Sequence, residues 1–217
     1  METITTNIKT ITAIEVQKNN NKRVNLFLDG QFFVGLDAFV VLQHRLKIGD
    51  EIDEATIKQI ATKSGIASGF ERAIKFLSVR LRSKKEIEQY LQKKGYCFDV
   101  IFKIVDKLIF YGYVDELKFA TEFVKSYSKK YGKHYIKMRL KECGVDSCFI
   151  KQALDFCDED GIYKTAKKYL KGKRGIEKQK LYTYLYNKGF GSDEIVDAIE
   201  RVFAELELQE DEVSSDL

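Results

Sequence analysis

One frame, written three times, constrains this chain more than anything else in it. Leu91 and Gly95, Leu140 and Gly144, and Leu185 and Gly189 each bound the pattern Leu-x-x-x-Gly. Six residues past each glycine stands an isoleucine, Ile101, Ile150 or Ile195. Nine and ten residues past it come Ile104-Val105, Ala153-Leu154 and Ala198-Ile199. Upstream lie Ala73, Ala120 and Ala166, each followed four residues later by Leu77, Val124 or Leu170. Aliphatic and small residues that return together every 45 to 49 positions mark an internal repeat.

Each repeat reads as three helices. The glycine closes the second helix as a left-handed C′ residue, where any Cβ would be strained. The apolar positions beyond it share one face of the third helix. In the first repeat Ser83-Lys84-Lys85-Glu86 is a capping box that opens the second helix, and Ser68-Gly69-Phe70-Glu71 reads as another that opens the first. In the third, Ser192 reads as an N-cap with Asp193 and Glu194 behind it. A unit this small buries little by itself and must lean on its neighbours. The expected fold is mainly α: three tandem three-helix repeats (residues 68–116, 117–159 and 160–206) in an elongated, curved array.

Residues 1–67 differ in character and read as a small α+β extension. Thr10, Thr12, Ile14 and Val16 alternate with their neighbours, and the asparagine run 19–21 with Lys22 supplies turn residues. A second run from Arg23 to Leu28 ends at Asp29-Gly30, a tight hairpin signal, and residues 31–35 return. Three antiparallel strands are expected, then helices over 37–46 and 53–63, with a turn and short strand between.

Charge is unevenly spread. The chain of 217 residues has 37 basic and 33 acidic side chains, for a net charge of +4. Residues 204–217 hold six acids (Glu205, Glu207, Glu210, Asp211, Glu212, Asp216) and no base, so the body up to residue 203 carries +10. A basic body points to an anionic partner, nucleic acid first; a lysine-rich solvated face is the plainer alternative. Residues 207–217 are expected as an acidic flexible tail. Neither a membrane span nor a secretory signal is legible, which makes the cytoplasm the expected location. The four cysteines (Cys97, Cys143, Cys148, Cys157) read as buried reduced thiols.

Catalytic chemistry is hard to find. There is no phosphate-binding glycine loop, no C-x-x-C, and the two histidines, His44 and His134, stand outside any metal spacing. No catalytic residue, metal or cofactor is expected. The residues that draw the eye are cations beside helix ends. Arg80, Arg82, Lys84 and Lys85 surround the Ser83 start, where free backbone N–H groups and long cationic side chains make an anion site. The competing reading is ordinary capping with i,i+4 pairing to Glu86 and Glu88. Lys129, Lys130 and Lys133 occupy the matching turn of the second repeat, and Lys167, Lys168, Lys171, Lys173 and Arg174 that of the third. Recurrence at one turn predicts a shared basic edge for an extended partner. The tyrosines near these junctions either fill them or stack on exposed bases.

The chain resembles the RecX regulators, which act on the bacterial recombinase RecA. The resemblance covers nearly the whole length and rests on three stretches. These are Arg80-Leu81-Arg82-Ser83-Lys84-Lys85-Glu86-Ile87 with Tyr90-Leu91-Gln92-Lys93-Lys94-Gly95, then Gly112-Tyr113-Val114-Asp115-Glu116-Leu117-Lys118-Phe119-Ala120 with Phe123, and Tyr131-Gly132-Lys133-His134-Tyr135-Ile136 running on to Leu140 and Gly144-Val145. Cys143 stands where the family usually has a basic residue, and His134-Tyr135 where a more basic site is frequent. The resemblance implies a regulator that binds the RecA filament; the open array reads most simply as a monomer, and the missing motifs speak against an enzyme. The regulator would meet single-stranded DNA through that filament and modulate, usually inhibit, ATP hydrolysis and strand exchange in recombination and the DNA-damage response. A direct DNA-binding helical regulator of helix-turn-helix type is the alternative.

Overall fold

The computed structural model describes residues 7–18, 20–172 and 177–215. The chain divides into two compact units, Met1–Arg80 with Ile87–Tyr113, and Leu81–Glu86 with Val114–Leu217.

In the first unit, strands β1 (Ile8–Gln17), β2 (Asn20–Leu28), β3 (Gln31–Asp37) and β4 (Glu51–Asp53) form one antiparallel sheet in the order β3-β2-β1-β4. The three expected strands are present, and the short run before residue 53 joins them as a fourth, pairing with β1. Asp29 and Gly30 both take positive φ, +49° and +81°, the geometry that lets a two-residue turn follow the twist of its strands. Val24, Leu26 and Leu28 alternate onto one buried face with Ile11 and Leu36. The expected helix over 37–46 is the shorter α1 (Ala38–Gln43), opened by the Asp37 carboxylate accepting the Phe39 N–H at 2.9 Å.

Helix α2 (Glu54–Leu77) corrects the reading of residues 53–71. Two helices with a new start at Ser68 were expected; one helix runs through, and the 67/68 boundary falls inside it. Ser68 does not cap. Its hydroxyl reaches the Gly65 carbonyl at 3.3 Å and the Tyr96 hydroxyl at 3.1 Å. Gly69 is a notch rather than a break, since a Cβ there would stand 2.3 Å from Ile104 Cδ1, whereas one on Gly65 would meet Val100 at an ordinary 3.5 Å. Helices α3 (Lys84–Lys93) and α4 (Phe98–Phe110) follow.

The second unit contains α5 (Glu116–Tyr127), α6 (Lys133–Glu142) and α7 (Ser147–Leu154), then α8 (Gly161–Leu170), α9 (Lys178–Asn187) and α10 (Ser192–Ser215). Two cores result. Ala120, Val124, Ile136, Leu140 and Ile150 fill one; Ala166, Leu181, Leu185, Ile195 and Ile199 fill the other. α10 continues through Ser215, so its helical backbone extends into the acidic segment expected as a flexible tail. Its N-cap is Gly191 rather than Ser192, since the Gly191 carbonyl accepts the Ile195 N–H at 2.9 Å and its own N–H bonds the Glu194 carboxylate at 3.0 Å.

The repeating frame acquires a physical meaning here. Gly95, Gly144 and Gly189 sit at φ +85°, +77° and +81°. Behind each, the next residue's N–H returns to the frame leucine: Tyr96 to Leu91, Val145 to Leu140, Phe190 to Leu185, at 3.1–3.3 Å. The glycine N–H closes the inner bond to Gln92, Lys141 or Tyr186. Leu-x-x-x-Gly is thus the sequence form of a Schellman cap, with its apolar contact supplied by Tyr96, Val145 and Phe190, all buried.

Candidate functional site

Every described cation of the expected basic edge lies at or near a junction between the first and second helices of a repeat. In the first unit, Arg80 is exposed just past α2. Around the Ser83 start the geometry follows the capping reading. The Ser83 N–H donates to Glu86 Oε2 at 3.0 Å, and the Glu86 N–H returns to Ser83 Oγ at 3.2 Å. Arg82, only 16% exposed at its side chain, reaches Glu86 Oε1 with Nη1 at 3.6 Å. Lys84 is half-buried, and Lys85 donates from Nζ to the Glu142 carbonyl at 3.0 Å. The Ser83 and Glu86 N–H groups at this start are thus engaged by the capping box, and the Lys85 ammonium by a backbone carbonyl.

In the second repeat Lys129 and Lys130 are exposed in the turn after α5, and Lys133 is the exposed first residue of α6. The first turn of α6 is satisfied from another helix: the Gly132 N–H bonds the Lys188 carbonyl at 3.0 Å and the His134 N–H the Gly189 carbonyl at 3.1 Å. In the third repeat Lys167 and Lys168 lie in the last turn of α8 and Lys171 is its C-cap. Lys167 contacts Glu205 Oε2 at 2.6 Å and stands 4.6 Å from the centre of the Tyr163 ring. The Lys167 hydrogen bond, with help from Tyr163, holds the Glu205 carboxyl below its ordinary range, and the same contacts raise the Lys167 ammonium. Lys173 and Arg174 lie outside the described residues. Lys129, Lys130, Lys133, Lys168 and Lys171 are exposed and form no ion pair with a described residue.

Sequence reasoning missed cations on the second helices. Lys137 and Lys141 are exposed on α6, beside Arg139, which pairs with Glu142. Lys94 lies over Tyr90 at 5.6 Å and Lys188 over Tyr184 at 5.6 Å, the same i,i+4 pair in two repeats. Cys143 and Arg139 break that pair in the middle repeat. The signal was present, as a basic residue ahead of two of the three frame glycines.

Most junction tyrosines fill space. Tyr90 stacks on Phe76 at 4.1 Å, Tyr127 on Phe123 at 4.1 Å, Tyr131 on Tyr135 at 4.2 Å and Tyr169 on Tyr184 at 4.3 Å. Of Tyr182, Tyr184 and Tyr186, the last is exposed, as three tyrosines on one helix require. The cysteines are free, but the expectation of burial fails: Cys97 and Cys148 are exposed, Cys143 and Cys157 half-buried. Among the described residues no cluster of three or more ligating side chains could hold a metal, and no helix is long and apolar enough to cross a membrane.

Comparison with known proteins agrees along the chain. The family model described as "Regulatory protein RecX N-terminal domain" matches residues 9–53, "RecX, first three-helix domain" residues 70–108, and "RecX, second three-helix domain" residues 115–154. A "Regulatory protein RecX" from Bacillus pumilus is 36% identical over 93% of this chain and 81% of its own length. One from Clostridium botulinum (strain Eklund 17B / Type B) is 33% identical over 87% and 94%. A solved structure titled "Crystal structure of regulatory protein RecX" superposes with a TM-score of 0.59 and 27% identity, covering 89% of this chain and 99% of that one.

Proposed function

From the premise that this chain belongs to the RecX family of regulatory proteins, we propose that it binds the RecA filament on single-stranded DNA and restrains RecA's ATP hydrolysis and strand exchange. The observation that carries this reading is the return of exposed lysines at the same junction in successive repeats, Lys129, Lys130 and Lys133 and then Lys168 and Lys171. A partner that repeats along its length, with phosphates at regular intervals, matches a surface that does the same. The chain acts by occupancy, as a cytoplasmic monomer without catalysis or cofactor. Single-stranded DNA is met within the filament.

The test is RecA's single-stranded-DNA-dependent ATP hydrolysis, titrated with this protein well below one copy per RecA, beside naked-DNA binding at the same salt. Inhibition at those ratios with weak naked-DNA binding is the expected result. Unchanged hydrolysis with tight, salt-steep binding to naked DNA would replace this reading with a direct DNA-binding regulator.

A further inference from the structure

One cavity of the second unit draws most of its charged lining from acids. It is half-open, has a volume of about 310 Å³, and is bordered by carbon walls from Tyr131, Ile162 and Phe190. Asp158, Glu159 and Glu194 line it against a single cation, Lys133. The carboxylates differ in what they already hold. Glu194 accepts the Gly191 N–H at 3.0 Å, Asp158 holds Lys164 at 3.0 Å, and Glu159 has no partner among the described residues. Ser128 also lines the cavity, is 2% exposed, and its Oγ bonds no described group. A buried hydroxyl without a partner is costly, and an incoming donor would relieve it. The Cys157 thiol on the same wall is raised first by burial, lowered by Lys133 and raised by Glu194, so both charges act at this wall.

We infer that this cavity receives an arginine side chain presented by a protein partner. With Asp158 held by Lys164, the Glu159 and Glu194 carboxylates still outweigh Lys133, so the lining selects a cation and repels phosphate, and nucleic acid is not the occupant. The carbon walls lower the local dielectric on their side of the cavity, which strengthens charge-assisted hydrogen bonds made against them. Acceptors arranged around the space suit a planar group with five donors better than a point-charge ammonium, and Ser128 Oγ is one acceptor more. The inference goes beyond the proposed function, because it gives the junction of the last two repeats a protein-reading contact whatever the partner is.

The probe is the capped tripeptide acetyl-Gly-Arg-Gly-amide, titrated into the full chain and followed by amide resonances. Its counterpart with citrulline in place of arginine has nearly the same shape and no charge. The expected result is saturable shifts at Gly132, Glu159, Ile162 and Gly191 with the arginine peptide only, at a Kd on the order of millimolar for so small a ligand. Glu159→Lys, at a carboxylate with no described partner, should weaken that binding roughly tenfold while leaving resonances elsewhere unmoved. Equal shifts with the citrulline peptide, shifts scattered over surface acids with none at the cavity, or undiminished binding by Glu159→Lys would each overturn the assignment. None of these readouts involves RecA, so failure here is separable from failure of the filament reading.

Discussion

The backbone N–H of Gly132 donates to the carbonyl of Lys188 at 3.0 Å, so the end of α9 caps the start of α6. The approach is close enough to exclude side chains. A Cβ on Gly132 would stand 2.1 Å from the Gly189 carbonyl oxygen and 2.3 Å from the Phe190 nitrogen. At φ −77° Gly132 has a backbone any residue can adopt, so contact alone demands glycine there.

Gly132→Ala should therefore destabilise the second unit by about 2–3 kcal/mol, the range of a forced backbone shift in a packed junction. Urea denaturation measures it. A variant as stable as the parent would show that the two helix ends do not meet at this distance in solution.

The pair Lys167–Glu205 predicts a pH-dependent tie between α8 and α10. Glu205 is held below its ordinary 4.5, first by the Lys167 hydrogen bond and then by Tyr163. A lowered folded value stabilises the fold above 4.5 and loses that contribution as pH falls through the folded value. Lys167, raised above 10.5 by Glu205, contributes below 10.5 and loses it on further alkalinisation. The melting temperature of Glu205→Gln should lie below that of the parent at pH 7, and the gap should close by acid pH. A gap of constant size from neutral to strongly acid solution would show that the carboxylate charge is not what matters. Lys167 is exposed and Glu205 only half-buried, so salt should shrink the effect.

Charge reversal at the junctions tests the basic edge repeat by repeat. Lys129→Glu with Lys130→Glu in the second repeat, and Lys168→Glu with Lys171→Glu in the third, alter exposed side chains without described ion pairs. Each pair should reduce filament affinity by a similar factor, about tenfold in low salt, and flatten its salt dependence. Normal affinity in both double variants would eliminate the edge. Loss in one repeat alone would confine the contact to that repeat.

The site was only partly legible in the residues. Lys129, Lys130, Lys168 and Lys171 stand out because exposed lysines at a turn stay exposed in almost any packing. The contacts around Ser83 were legible only in part, because a helix start says nothing of what folds up to meet it. Glu86 closes that start, and Lys85 is drawn to the Glu142 carbonyl, 57 residues away. The cavity at Ser128 was invisible for the same reason: its walls come from residues 128 to 194, and no spacing in the chain announces that they converge.

Local chemistry decided what is local. The Schellman caps at Gly95, Gly144 and Gly189, the Asp29-Gly30 turn and the Ser83 box each arise within six residues, where backbone sterics and one or two hydrogen bonds dominate. Their repetition carried the three-helix architecture, since identical caps and identical apolar faces admit one solution. Tertiary structure decided what depends on a neighbour. Gly65, Ser68 and Gly69 carry the signs of a helix boundary, yet α2 runs through them, and at Gly69 the side chains of Ile104 and Tyr96 occupy the space a Cβ would need. Gly132 looks like one more loop glycine until the end of α9 is found against it. Propensity is a matter of tenths to about one kcal/mol per residue, and packing that forbids a single Cβ outweighs it.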